Sequence, residues 1–147
     1  MIATLQPWLI RWRGPLLWLL QGLFLLRILG QVQVAFRGLT WLPPMSEWFS
    51  GLIPYPELLT SQILILMFMT LVSYDNARRE GLFYVQSPRK QKVLARLSAI
   101  YFLMMLSRYI IQMLLVPESR WFGGTIPIIF HFVLAGYIYL VSLGDRQ

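Results

Sequence analysis

Four apolar stretches, at residues 15–36, 56–72, 94–115 and 125–143, leave this chain few ways to fold. A helix needs about 20 consecutive apolar residues to cross the hydrocarbon of a bilayer. Each stretch reaches or approaches that length, and the segments between them are rich in Pro, Gly and charge. A backbone in lipid must satisfy its own hydrogen bonds, so such runs predict spanning α-helices. The second and fourth are on the short side, which implies little tilt or a locally thinned bilayer. Pro15, Pro56 and Pro127 stand near the predicted helix starts, where a missing N–H costs nothing. The sequence thus predicts an all-α integral membrane protein, a single membrane domain of four transmembrane helices.

Composition agrees. Hydrophobic residues make up 57 % of the 147 and charged residues 13 %, where a soluble domain carries about one quarter charged. There is too little polar surface to cover a water-soluble protein of this size. The absence of cysteine excludes disulfides, thiolate metal sites, iron–sulfur clusters and redox dithiols. Arg11 and Arg13 precede an apolar run that continues past Gln33 without a small-x-small cleavage site. That run reads as an uncleaved first span, preceded by a short interfacial segment carrying Trp8 and Trp12.

The net charge of +7 does not indicate nucleic acid, because the thirteen basic residues are scattered between apolar spans. It indicates topology. Arg78, Arg79, Arg89, Lys90 and Lys92 fall in or beside the basic loop at 73–93, and Arg96 follows just inside the third span. Arg11, Arg13 and Arg146 lie on the same side, against Arg37 and Arg120 on the other. The positive-inside bias therefore predicts cytoplasmic N- and C-termini, with a bacterial inner membrane as the expected location. Trp41, Trp48, Tyr55 and Trp121 fit an outer aromatic belt.

The most specific pattern is an internal repeat. Residues 42–54 and 115–127, offset by 73, share eight of thirteen positions in the motif L-x-P-x-S-x-W-F-x-G-x-I-P. Pro44, Trp48, Phe49, Gly51 and Pro54 correspond to Pro117, Trp121, Phe122, Gly124 and Pro127. The chain thus reads as two tandem helix hairpins, repeat 1 near 15–72 and repeat 2 near 94–143, inserted the same way up as a parallel repeat. Structurally, the motif ends one helix with Pro, anchors Trp at the interface, turns at Gly and starts the next helix with Pro. Functionally, it could form a paired outer vestibule whose helix N-termini face an anion.

A second pairing lies within the spans. Arg27 and Gln31 on span one, like Arg108 and Gln112 on span three, are four residues apart and share a helix face. An arginine in a span carries a cost of roughly 2.5–3.5 kcal/mol on insertion scales, so it faces the protein interior or a cavity, or snorkels to headgroups. At ~1.5 Å per residue Arg27 lies ~18 Å, and Arg108 ~21 Å, from the inner ends of their spans. Glu57, Gln62 and His131 share that depth, and with Arg27, Arg108 and Gln112 they could form one polar layer, Gln31 being a further binding candidate beside it. Glu57 is the only carboxylate placed to compensate either arginine. The residual positive charge would suit a lipid phosphate, a carboxylate substrate or an acidic side chain of a partner helix.

His131 is the only histidine, which rules out bis-histidine haem ligation within the chain. Single-histidine ligation of haem or a chlorophyll-type pigment is conceivable, because Ala135 and Gly136 leave room beside the imidazole; hydrogen-bonded packing is the simpler role. No cofactor and no metal site is expected, and no catalytic constellation is present. Three functions follow in order of support. The first is a small non-catalytic accessory subunit of a larger membrane complex, such as an energy-transducing one, contacting membrane lipids and other integral membrane subunits. The second is binding or transport of a small anion or anionic lipid at the outer polar cluster. The third is a lipid-modifying enzyme using His131 or Glu57, which only isolated titratable groups support.

Overall fold

A computed structural model describes residues 2–48, 53–85, 87–115 and 125–143. The described residues form four longer helices and one short one: α1 (Ile2–Arg37), α2 (Met45–Trp48), α3 (Tyr55–Arg78), α4 (Pro88–Leu115) and α5 (Thr125–Ser142). Three stretches, Trp8–Arg37, Tyr55–Arg78 and Pro88–Leu115, are long and apolar enough to cross a membrane; the apolar part of α5, Ile126–Ser142, is shorter. This is the build of a helical membrane protein.

The helices overrun the predicted spans. α1 has 36 residues and reaches ~54 Å at the α-helical rise, well beyond a hydrocarbon core of about 30 Å. Trp8 and Trp12 are therefore exposed on α1 itself and do not belong to a segment separate from that helix. Pro15 falls inside this helix, not at its start. Its ring removes one backbone donor without ending the helix, a substitution tolerated where neighbouring groups satisfy the freed carbonyl. Pro56 does sit in the first turn of α3, and Pro127 in that of α5, as read from the sequence.

Interhelical contacts set an antiparallel register. Gln21 Nε2 on α1 donates to Thr70 Oγ1 on α3 at 2.8 Å. Ser98 Oγ on α4 donates to the Ala135 carbonyl of α5 at 2.8 Å. Tyr137 on α5 reaches α3, donating to the Met69 carbonyl at 2.7 Å and lying 2.8 Å from Ser73 Oγ. The order across the bundle is α3, α1, α5, α4. Among the described residues α3 and α4 have no comparable packing. Apolar burial drives little helix association in lipid, so close packing and such polar rungs hold the helices together.

One end of the bundle, called the basic end here, holds most of the basic residues. There the Arg13 guanidinium, 6 % exposed, donates to Asn76 Oδ1 on α3 and to the Val141 carbonyl on α5 at 3.4 Å, and lies over the Tyr84 ring. The chain leaves α3 through a turn organised by Asp75. Its carboxylate accepts from Phe83 N at 3.0 Å, and its carbonyl from Glu80 N at 3.2 Å. Gly81 has φ +107° and packs against that carboxylate, where a Cβ would collide. The opposite end, called the hairpin end here, starts where α1 stops at Gly38 (φ +58°). It carries α2 and the start of α3.

Candidate functional site

The missing contact between α3 and α4 is a cleft. It has a volume of about 310 Å³ and draws its lining from all four long helices: Phe24 and Arg27 on α1, Leu58, Ser61, Gln62 and Ile65 on α3, Arg108 on α4, and Pro127, Phe130, His131 and Leu134 on α5. Ile53, just before α3, completes its rim. Toward the basic end Tyr137 bridges α5 to α3 and closes the gap. In the half toward the hairpins nothing comparable joins α3 to α4 among the described residues, and the cleft lies open between these two helices.

Arg27 is built into this site by its neighbours. It is 9 % exposed, too enclosed to snorkel. Its Nη2 donates to the Trp48 carbonyl at 3.3 Å, and its guanidinium lies 5.2 Å from the centre of the Phe130 ring. Trp48 is 8 % exposed and does not stand in the aromatic belt. The short helix α2 turns it inward: its indole N–H donates to the Pro43 carbonyl at 2.9 Å, and its ring covers Gly30. A Cβ on Gly30 would come within 2.6 Å of the ring. The absent side chain of Gly30 is what lets the tryptophan in. Trp41, by contrast, is 75 % exposed, as a belt residue should be.

Beside Arg27 lies a glutamine pair. Gln62 Nε2 donates to Gln31 Oε1 at 3.0 Å, and both residues are buried. Gln31 Nε2, Gln62 Oε1 and Arg27 Nε find no hydrogen-bond partner among the described residues. Buried polar atoms in that state are disfavoured by about 1–3 kcal/mol each, which marks the site as one suited to a polar guest.

On the other wall, His131 Nδ1 lies 2.6 Å from Tyr101 Oη, with the two rings edge to face. The histidine is therefore held as a hydrogen-bonded packing residue on its Nδ1 side. The small residues beside it are covered by neighbouring helices: Ala135 is buried under Ser98 of α4, and Gly136 faces Leu20 of α1. No cluster of three or more His, Cys, Asp or Glu side chains with metal-binding geometry occurs among the described residues.

Of the predicted polar layer, the structure brings Arg27, Gln62, Arg108 and His131 to one cleft and sets Gln31 behind it. Glu57 and Gln112 are not part of the lining. Glu57 is exposed in the first turn of α3. Five residues separate it from Gln62, which turns it ~140° away around the helix, and a carboxylate in a first turn is favoured by the helix dipole. No ion pair joins it to Arg27 or Arg108; the ion pair present among the described residues is the exposed Arg78–Glu80 contact. The two arginines, matched in sequence, also differ: Arg27 is buried and Arg108 exposed. Of the repeat motif, Phe49, Gly51, Pro117, Trp121, Phe122 and Gly124 lie outside the described residues, while Pro44 and Pro54 flank the α2 segment and Pro127 lines the cleft.

Sequence reasoning missed two residues that shape the site, Tyr101 and Arg13, and the inward placement of a third, Trp48. Trp48 belongs to the repeat motif, where the sequence suggests an interfacial anchor or a vestibule residue; the structure places it over Arg27 and against Gly30, one of three glycines in α1. Tyr101, one of seven tyrosines, carried no mark of its bond to His131. Arg13 was counted only toward topology, although it ties three helices together. No protein-family model, characterised protein or solved structure matches the chain, so its function must be argued from the cleft.

Proposed function

We propose that this chain is a non-catalytic membrane protein that binds an anionic group in the cleft between α3 and α4. The observation that carries the reading is the uncompensated charge: Arg27, 9 % exposed, shares the cleft with Arg108, and no carboxylate pairs with either among the described residues. A buried cation without a counter-charge is strongly disfavoured, and the natural remedy is a bound anion. All four helices cross the membrane in this reading, with the termini cytoplasmic and the cleft in the outer half of the bilayer. The duplicated hairpin motif supports that topology. Four helices are few for a stand-alone transporter, which favours binding over transport.

A second reading is favoured by α4, where Ser98 is the one buried residue of the helix. The rest of α4, uncovered by this chain, suits packing against another integral membrane subunit, and the protein would then be an accessory subunit that holds an anion at the seam. The two readings are compatible.

Thermal unfolding in nanodiscs of a zwitterionic lipid tests the binding. The panel to be added comprises inorganic phosphate, glycerol phosphate, small carboxylates and, within the disc, an acidic phospholipid. A ligand present at about a hundred times its Kd stabilises by roughly 2.7 kcal/mol. At least one anion should raise the midpoint of the wild type and leave Arg27→Gln/Arg108→Gln unmoved. A wild type indifferent to all of them ends the proposal.

A further inference from the structure

We infer that the anion is the headgroup of an acidic phospholipid that enters sideways between α3 and α4; this rests on the anion-binding reading and narrows it. The cleft is open laterally, where a bilayer presents lipid and not water. Its mouth carries Ser61, Ile65 and Arg108, all exposed on the outer surface of the bundle. A free hydrated anion would have to shed its water and cross the surrounding hydrocarbon to reach it. A lipid already lies there.

The distribution of side chains along the cleft matches an amphiphile. On three of the helices an apolar lining residue follows a polar one three residues, or ~4.5 Å, nearer the bundle centre: Phe24 after Arg27, Ile65 after Gln62 and Leu134 after His131, while Arg108 stands toward the hairpin end of α4. A phosphate seated between the arginines would send its acyl chain down past those apolar residues, parallel to the other lipids. Arg27 lies ~15 Å along α1 from Arg37 at the hairpin end, so the headgroup would sit drawn in beneath the level of its neighbours. The volume of about 310 Å³ is at the small end of ligand pockets, roughly 300–1,000 Å³, and suits a headgroup while the chain remains in the bilayer. Charge selects the class. Two arginines with no carboxylate paired to them among the described residues repel the choline or ethanolamine cation of a zwitterionic lipid and favour a headgroup with net negative charge. Gln62 Oε1, without a partner among the described residues, offers an acceptor to a headgroup hydroxyl.

Arg27 and Arg108 divide the task. Arg108, exposed on α4, meets the phosphate at the mouth; Arg27, fixed under Trp48 and against Phe130, receives it inside. Snorkelling alone would leave Arg108 touching whichever headgroup passes, with no preference among acidic lipids and no effect of the apolar end.

The test uses the full chain in phosphatidylcholine nanodiscs, doped with a minority of phosphatidylglycerol, read by native mass spectrometry and by the unfolding midpoint. Soluble glycerol phosphate in undoped discs is the control. Retention of phosphatidylglycerol by the wild type, with glycerol phosphate ineffective, supports the inference. Arg108→Gln should weaken that retention about tenfold or more, as loss of a charged hydrogen bond does. Ile65→Trp, which fills the apolar end without touching either arginine, should weaken it similarly. Both positions are exposed, so these variants remain informative if Arg27→Gln fails to fold. Protection by glycerol phosphate and not by the lipid overturns the lipid inference and leaves anion binding standing. Protection by neither overturns both. Unchanged retention in Ile65→Trp overturns the seating of the acyl chain and with it the inference, as does a stoichiometric protein partner whose presence blocks lipid retention in native extracts only when it carries its acidic side chain.

Discussion

At the scale of single residues, the fit of Trp48 over Gly30 does the most to shape the cleft. The indole reaches Arg27 only because α1 presents no side chain there. Gly30→Ala should cost roughly 1–3 kcal/mol, the range for overpacking a closely packed contact. The gain in helix propensity, about 1 kcal/mol for Gly to Ala, opposes it and sets the lower bound. Thermal unfolding in one detergent would measure this. Trp48→Leu should restore most of the loss in the double variant, because the smaller side chain leaves space for the methyl group. A fully additive pair would show that the two residues do not share the contact. Glycine in a membrane helix is common and often means no more than close helix packing, so this role could not be read from position 30 alone. The arginines were legible because charge in an apolar run is rare; their unequal burial was not, since Arg27-x-x-x-Gln31 and Arg108-x-x-x-Gln112 look alike until the helices are packed.

At the scale of elements, α5 is the helix that the others depend on. It meets α1 along its length, supports α4 through Ala135 and Ser98, and holds α3 through Tyr137. Tyr137→Phe keeps the ring and removes the hydroxyl shared with Ser73 and Met69. Interhelical hydrogen bonds in membranes average about 0.6 kcal/mol and reach about 1.7, and this one closes the floor of the cleft. The expected loss is therefore about 1 kcal/mol, together with faster amide exchange in α3 around Ile65–Met69, read by mass spectrometry. A stability loss with no change in α3 exchange would show that Tyr137 does not hold α3 in place. The helices themselves were plain in the sequence because apolar runs of this length have no other stable form in lipid. Their ends were not. α1 continues through Gly14 and Pro15 because the helix around them is long enough to absorb one lost hydrogen bond.

At the scale of the molecule, the lack of cysteine makes topology directly measurable, since any introduced thiol is unique. Ser46→Cys on α2 and Glu80→Cys in the connection after α3 are both exposed positions at opposite ends of the bundle. A membrane-impermeant maleimide should label Ser46→Cys on intact cells and Glu80→Cys only after permeabilisation. The reverse pattern would overturn the cytoplasmic assignment of the termini, and equal labelling would show mixed insertion. Charge distribution made this expectation available from sequence alone, because loop arginines and lysines act before any packing is complete. The cleft was beyond reach at that stage. Polar residues at equal depth say which groups can meet, and only the packing order α3, α1, α5, α4 shows which of them do. Glu57 had the right depth and the wrong azimuth.

The Arg13 site joins residues made far apart in time. Asn76 emerges from the ribosome some sixty residues after Arg13, and the Val141 carbonyl another sixty-five later. During synthesis the guanidinium can dwell among headgroups, yet its final berth exists only once α5 has threaded and docked. A chain halted after α4 retains an arginine whose second acceptor was never translated. Docking of α5 is thus registered chemically near the other end of the polypeptide, and a truncated product differs from a finished one in an arginine held by Asn76 and Tyr84 without its α5 carbonyl.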